Sequence, residues 1–254
     1  FLALGWRGSN RHWRNYERAY LILAGISTPL VLSVHSVVSF DFATPVVPGW
    51  HMTIFPPYFV TGAIFAGFAM VLMVLVVVRE TMDLSHLITM NHLEVINKVI
   101  LGTSCLMGYA YLMEGFTAWY SQNEFLHHIF KQYLWGAYGW AGWTVLICNV
   151  LIPQLFWSRY LRRSYPAMLF VAAAVTVGMW FERFVIIVMS LQQDYLPSSW
   201  RLYQPTWVDL GILLGSFGIF FTLVLIFARV LPVIATSEVK AMLPGAQPHG
   251  ASHG

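Results

Sequence analysis

Six long apolar segments constrain the fold of this chain more than any other feature. Each contains about 20 or more mostly apolar residues, the length that an α-helix needs to cross a bilayer. We name them spans A to F; they lie at about residues 16–40, 57–78, 95–120, 133–157, 166–191 and 207–230. Prolines mark several connections, among them Pro45, Pro166 and Pro205. The sequence therefore predicts an all-α, polytopic transmembrane fold, with residues 1–254 as one integral membrane domain that ends in a flexible polar tail at 244–254.

The composition supports a membrane class and excludes others. Hydrophobic residues make up 58% of the chain and charged residues 10%, whereas a soluble domain is about 25% charged. Aromatic residues, at 16%, are abundant enough to form belts at both membrane interfaces. No Lys/Arg cluster suits nucleic acid. Cys105 and Cys148 lie in apolar stretches without a metal-ligand or redox spacing, so we interpret them as buried small hydrophobes.

The basic residues are distributed unevenly between the predicted connections. Lys131 and Arg201 fall on one side, and Arg183 lies inside span E. The opposite side carries eleven of the fourteen basic residues: Arg7, Arg11, Arg14, Arg18, Arg79, Lys98, Arg159, Arg162, Arg163, Arg229 and Lys240. Because cytoplasmic loops collect Lys and Arg, both ends of the sequence are expected to be cytoplasmic, and the A–B, C–D and E–F loops to face outward.

Two adjacent charged residues, Glu182 and Arg183, lie within the apolar stretch of span E. A charge at the bilayer centre costs about 2.5–3.5 kcal/mol even on lenient scales, so such residues mark functional sites or buried pairs. Adjacent helical positions point about 100° apart, so Arg183 is expected to pair with a carboxylate on another span, for which Glu114 is a candidate. With Tyr111, these residues are candidates for an internal proton path. The alternative is a purely structural pair that holds helices together.

A second candidate site lies at the outward end of span A. His35 and Asp41 are six residues apart, about 9 Å along a helix, so both could line one pocket wall. A quinol site needs a group that hydrogen-bonds the ring hydroxyl and a base with an exit to water. These two residues are the candidate catalytic and quinone-binding pair; an interfacial histidine with a capping aspartate is the alternative. Only His35 is clearly inside a span, so bis-histidine haem ligation within this chain is disfavoured, and no metal site is predicted.

Four sequence stretches carry a family resemblance. They are HSVVSFDFA (35–43), PGWHMTIFPPYFV (48–60), GAIFAGFAM (62–70) and MWFERF (179–184). Together they resemble the NrfD/PsrC family and, more narrowly, the ActC-type membrane subunit of bacterial alternative complex III. The resemblance runs over nearly all of spans A to E.

The resemblance implies a function and an assembly. The subunit would bind menaquinol or ubiquinol near the periplasmic face of the bacterial inner membrane and bind no haem or metal itself. Electrons would pass to an iron–sulfur partner subunit, within a complex that also holds a homologous NrfD-like membrane subunit and cytochrome c subunits with haem c. Full-length relatives would have about ten spans, so this sequence is expected to be the C-terminal part. Spans B to E would form one four-helix bundle with Glu114, Glu182 and Arg183 inside.

Three functions are therefore compared. The first is a quinol-oxidising membrane subunit of a respiratory complex, with possible proton conduction. The second is a non-catalytic anchor and assembly subunit, as in the ActF-type paralogue, whose motifs are shared. The third is a transporter, which is disfavoured because no span has the Gly/Pro-interrupted middle of broken-helix binding sites.

Overall fold

The computed structural model describes residues 5–47, 49–192 and 195–231, and all regular structure in these ranges is helical. Six helices are long and apolar enough to cross a membrane: Asn10–Ala43, Phe55–Thr81, Met90–Tyr120, Gly139–Trp157, Tyr165–Gln192 and Trp207–Val230. The prediction of a polytopic all-α fold with six spans is confirmed. The predicted tail at 244–254, Lys240 and Pro48 lie outside the described residues.

We number the α-helices in chain order. The order is α1 (Asn10–Ala43), α2 (Phe55–Thr81), α3 (Met90–Tyr120), α4 (Glu124–Trp135), α5 (Gly139–Leu146), α6 (Arg159–Arg162), α7 (Tyr165–Phe184), α8 (Ser190–Gln192) and α9 (Trp207–Val230). Span D continues from α5 through a π-helical segment, Ile147–Leu151, and a 3₁₀ segment, Ile152–Trp157. Span E contains a second π-helical segment, Val185–Met189, between α7 and α8.

Span D begins later than the sequence predicts. Its expected start at Tyr133 belongs instead to α4, which ends at Trp135, and the membrane-spanning part begins at Gly139. The chain breaks because Gly136 takes an extended conformation and caps α4. A Cβ on Gly139 would lie 2.7 Å from the carbonyl oxygen of Leu134, and one on Gly142 would collide with the carbonyl of Tyr133. These glycines therefore let α5 return closely against the end of α4.

Spans B to E form a four-helix bundle. Helix α2 packs between α3 and α7, α7 also packs against α5, and α3 packs against the π and 3₁₀ parts of span D. Most of the fully buried side chains in the bundle are apolar, among them Phe65 and Leu72 from α2, Ile100 and Met107 from α3, Phe156 from span D, and Met168, Val171 and Val175 from α7; Asn97, Ser104 and Asn149 are fully buried polar exceptions. This closed ring of neighbours confirms the predicted bundle of spans B–E.

Helix α1 packs against α2 through its C-terminal part. Ser9 caps its N-terminus, and Ser39 is its only buried residue. Because most of its apolar side chains remain exposed, such as Leu21 at 70% and Ile22 at 62%, α1 offers a wide apolar surface to its surroundings.

The chain divides into two compact units, Phe1–Arg201 and Leu202–Gly254. In the second unit, α9 begins with a capping box. Thr206 accepts a hydrogen bond from the backbone N–H of Asp209 (3.4 Å), and the Asp209 carboxylate accepts from the backbone N–H of Thr206 (2.8 Å). Asp209 is also an acid in the first turn of α9, where the helix dipole favours a negative charge.

The bundle geometry gives a direct test of topology. Ser121 caps the end of α3, whereas Ser164 caps the start of α7, so the two residues lie at opposite ends of the bundle. In a background without Cys105 and Cys148, we expect Ser121→Cys to react with a membrane-impermeant thiol reagent added from the periplasm and Ser164→Cys to react only after permeabilisation. Labelling of both from the same side of intact cells would overturn the assigned orientation.

Candidate functional site

A buried carboxylate lies at the centre of the bundle. Glu182 is 2% exposed, and one of its oxygens, Oε2, accepts a hydrogen bond from the Tyr111 hydroxyl (2.6 Å) and another from Asn149 Nδ2 (3.1 Å). Asn149 Nδ2 also lies 3.0 Å from the Tyr111 hydroxyl. Three spans therefore meet at one polar cluster, which we call the Glu182 cluster: Glu182, Tyr111 and Asn149. Such satisfaction by neighbours is what a buried polar group requires.

Both π-helical segments lie at this cluster. Asn149 is in the middle of the first, Ile147–Leu151, and Glu182 is three residues before the second, Val185–Met189. Single π turns within α-helices are rare and occur frequently at functional sites. Pro153 follows the first segment at the start of the 3₁₀ turn, where its missing N–H interrupts regular helical bonding. Within this π-helical segment, the Asn149 amide is oriented so that it donates to Glu182.

The cluster is incompletely satisfied. Glu182 Oε1, Asn149 Oδ1 and Arg183 Nη1 are buried and have no hydrogen-bond partner of good geometry among the described residues; the Tyr58 hydroxyl on α2 also interacts with the Glu182 carboxylate. A buried polar atom that lacks a partner costs about 1–3 kcal/mol, unless water or a ligand satisfies it.

The expected ion pair of Arg183 is not present. In the described part of the chain no carboxylate lies within ion-pair distance of Arg183, and Glu114 is not its partner. The guanidinium instead lies over the ring of Phe59, 4.4 Å from its centroid, and its charge acts on the neighbouring Glu182. A cation over an aromatic face gains electrostatic stabilisation when it is desolvated, which explains how the bundle holds Arg183 without a direct partner.

Glu114 is half-buried on α3, one helical turn from Tyr111. Its charge interacts with that of Glu182. The structure therefore brings together Glu114, Glu182, Arg183 and Tyr111, the residues predicted for a proton path, although their roles stay a prediction.

The second predicted pair occupies the C-terminal part of α1. His35 is half-buried, with Nδ1 2.8 Å from the carbonyl oxygen of Val31, and Asp41 is exposed. Because His35 uses Nδ1 within its own helix, Nε2 is the nitrogen left for an external ligand. The structure does not bring His35 and Asp41 into direct contact, and their roles at a quinone stay a prediction.

An aromatic cluster connects the α1 end to the bundle interior. Phe42, the neighbour of Asp41, packs against Trp50 (4.9 Å between ring centroids), Phe55 (6.0 Å) and Phe59 (5.6 Å). Phe59 in turn lies beneath Arg183. The sequence placed Phe42, Phe55 and Phe59 in the family motif, but gave no signal that they join the two candidate sites.

The A–B loop also contacts the second π-helical segment. Trp50 Nε1 donates a hydrogen bond to the carbonyl of Ile186 (2.8 Å). Gly49, at φ +87°, makes this approach possible, since that backbone conformation favours glycine. A Cβ there would lie 3.4 Å from both Ile129 and the Tyr133 hydroxyl. The loop is thus tightly seated at the end of the bundle.

Polar groups continue from the Glu182 cluster toward the other end of span D. The Ser104 hydroxyl donates to the carbonyl of Asn149 (2.6 Å), Gln154 Nε2 donates to Ser104 Oγ (3.3 Å), and Trp157 Nε1 donates to Gln154 Oε1 (2.8 Å). Gln154 had no predicted role. The signal that could have found it is its type, since it is an amide inside an apolar span.

A family model described as "Polysulphide reductase, NrfD" matches residues 2–193, and no curated protein matches the chain. Members of this family are membrane subunits of quinol-linked oxidoreductase complexes and typically pair with iron–sulfur subunits. The match includes α1 with His35 and Asp41 as well as every element of the Glu182 cluster. Because it covers well over half of the chain, this multi-pass membrane protein belongs to the NrfD family.

Proposed function

We propose that this chain is the quinol-oxidising membrane subunit of a respiratory complex in the bacterial inner membrane, of the ActC type. Quinol oxidation yields quinone, two electrons and two protons. In the proposal a menaquinol or ubiquinol binds near the periplasmic end of α1, and an iron–sulfur partner subunit takes the electrons. His35 hydrogen-bonds the quinol or a neighbouring water, and Asp41 takes up a released proton and passes it to solvent.

One observation carries the proposal furthest. A buried carboxylate with incomplete hydrogen bonding lies deeper in the bundle than the end of α1 at which the quinol is proposed to bind. Glu182 Oε2 accepts hydrogen bonds from Tyr111 and Asn149, whereas Oε1 is buried without a hydrogen bond of good geometry among the described residues. The aromatic cluster around Phe42 links the Asp41 segment to Arg183, the neighbour of Glu182. A purely structural pair would be expected to satisfy both charges. The Glu182 cluster is therefore proposed to conduct protons within the bundle, with Glu114 and Tyr111.

The competing candidate is a non-catalytic anchor, as in the ActF-type paralogue. The observation that favours it is the closed packing of the four-helix bundle around apolar side chains, which would hold a partner membrane subunit without chemistry. In that case variants of Asp41 and His35 would change activity only in proportion to the amount of assembled complex. The proposed partners, a homologous NrfD-like membrane subunit and cytochrome c subunits, are common to both candidates.

The test of quinol chemistry is Asp41→Asn in the intact complex. This change retains the shape of the exposed side chain and removes the base, so we expect assembly to persist and quinol oxidation per assembled complex to fall about 10²-fold. Turnover is measured with a reduced short-chain quinol and an artificial electron acceptor. Glu17→Gln, a carboxylate-to-amide change at an exposed position near the other end of α1, is the matched control and should leave turnover unchanged. Full turnover of the assembled Asp41→Asn complex would refute the role.

A further inference from the structure

A cationic pocket lies outside the sites described above, in the connection between spans D and E. It has a volume of about 510 Å³ and is lined by Arg159, Tyr160, Arg163 and Ser164. Two arginines and two hydroxyl-bearing residues thus line one cavity. This set of donors suits an anion with several oxygen atoms, because arginine binds phosphate through paired N–H groups.

The charge around the pocket is not balanced. Glu94 is the single carboxylate in the group, and it contacts Arg163 Nε (2.9 Å), Arg162 Nη2 (3.5 Å) and Lys98 Nζ (3.4 Å). Arg163 Nη2 also donates to Asn91 Oδ1 (3.1 Å). Arg159 has no ion pair or side-chain hydrogen bond within residues 5–47, 49–192 and 195–231. The group therefore contains one negative charge and four positive ones, which belong to Lys98, Arg159, Arg162 and Arg163. The Arg159 guanidinium is free to bind an external anion.

The depth of the pocket matches that of lipid headgroups. Its lining residues all lie in the short connection between Trp157, the last residue of span D, and Tyr165, the first of span E. Trp157 is 68% exposed and Tyr160 is 83% exposed. Exposed Trp and Tyr side chains at helix ends are typical of the membrane interface. Basic pockets between transmembrane helices at this depth suit the headgroups of anionic lipids.

We propose that this pocket binds the phosphate of an anionic phospholipid, held by Arg159 and Arg163 with the Tyr160 and Ser164 hydroxyls as further donors. Arg163 would keep its bond to Glu94 through Nε and donate its remaining N–H groups to the phosphate. Arg159 would donate from its whole guanidinium group. The lipid would cover the cationic end of the bundle and neutralise part of its excess charge. Inorganic phosphate shares the recognised chemistry, and the test below separates the two sources.

The experiment measures lipid retention by the full complex reconstituted into nanodiscs of phosphatidylcholine with or without phosphatidylglycerol. Retained lipid is quantified by native mass spectrometry after detergent exchange. We expect phosphatidylglycerol to be retained and Arg159→Gln to lower its retention about fivefold, equivalent to about 1 kcal/mol for one arginine near the surface. Because Arg159 is exposed and has no partner of its own, the variant should assemble normally. Arg18→Gln on α1, which removes the same charge from another exposed position, should retain lipid as the wild type does.

Three outcomes would overturn the proposal. Equal retention of phosphatidylglycerol by wild type and Arg159→Gln would show that Arg159 does not bind it. Equal retention of phosphatidylcholine would show that the anionic headgroup is not selected. Displacement of the lipid by millimolar inorganic phosphate would identify the pocket as a site for the free anion. Arg159→Lys keeps the positive charge but loses the paired N–H donors of the guanidinium. This variant should retain an intermediate amount of phosphatidylglycerol if phosphate is held by paired donors.

Discussion

Gly178→Val is expected to remove most of the folded protein. Gly178 is buried on α7, and a Cβ at this position would collide with the Asn149 side chain and come within 2.6 Å of the Cβ of Cys148. Neither neighbour can move freely, because both belong to the π-helical segment of span D. Overpacking of a well-packed core costs about 1–3 kcal/mol and occasionally more, and here it also displaces Asn149 from Glu182. We expect a cost of about 3 kcal/mol, at the upper end of that range.

The measurement is the yield and thermal midpoint of the detergent-solubilised chain, followed by fluorescence-detected size exclusion. Gly102→Val is the matched control, because Gly102 is helical and exposed on α3 and a Cβ there would meet nothing within 4 Å. Valine is no worse a helix former than glycine, so this variant should behave as the wild type does. Equal stability of the two variants would show that span D does not approach span E closely at Gly178.

Glu182→Gln is expected to separate chemistry from folding. The amide keeps an oxygen that can accept from Tyr111 and Asn149, so the bundle should assemble, but the group can no longer release or take up a proton. If Glu182 belongs to a proton path, turnover per assembled complex should fall about 10²-fold with quinone binding intact. Proton release in liposomes should fall with it, whereas activity that follows only the amount of complex would indicate a helix contact.

The control for this variant is Glu80→Gln. Glu80 lies at the C-terminal end of α2, and its side chain is 58% exposed. Its replacement should change neither turnover nor proton release. Wild-type values of both quantities in Glu182→Gln would leave Glu182 as a structural residue. They would remove Glu182 from the proposed proton path, whereas quinol oxidation at Asp41 and His35 is tested separately by Asp41→Asn.

The helices were predictable because their signal is local. Runs of apolar residues and flanking prolines gave the bounds of α2 and α9 to within about three residues, and the observed helices are Phe55–Thr81 and Trp207–Val230. The start of span D was not predictable in this way. The break at Gly136 depends on the chain returning against α4, and apolar composition continues across it without a change that marks the boundary.

The interior of the bundle was predictable only in part. Residue type indicated that Glu182 and Tyr111 are special, because polar groups at membrane depth are costly. Their meeting with Asn149 depends on two π-helical segments, and no local pattern in the sequence announces such a segment. The wrong expectation for Arg183 has a similar origin: charge counting suggests a carboxylate partner, whereas the fold supplies the ring of Phe59.

The unequal lengths of the helices have a consequence for the surrounding bilayer. The part of span D that crosses, Gly139–Trp157, has 19 residues. It is about 30 Å long, at about 1.5 Å per residue and about 2.0 Å in its 3₁₀ segment, which is close to the hydrocarbon thickness of about 30 Å. Helix α1 has 34 residues and would be about 51 Å long. Hydrophobic mismatch is relieved by thinning the lipid around short helices and by tilting or protruding long ones. The lipid beside span D should therefore be the thinnest around the bundle, and a thicker membrane would strain this helix first.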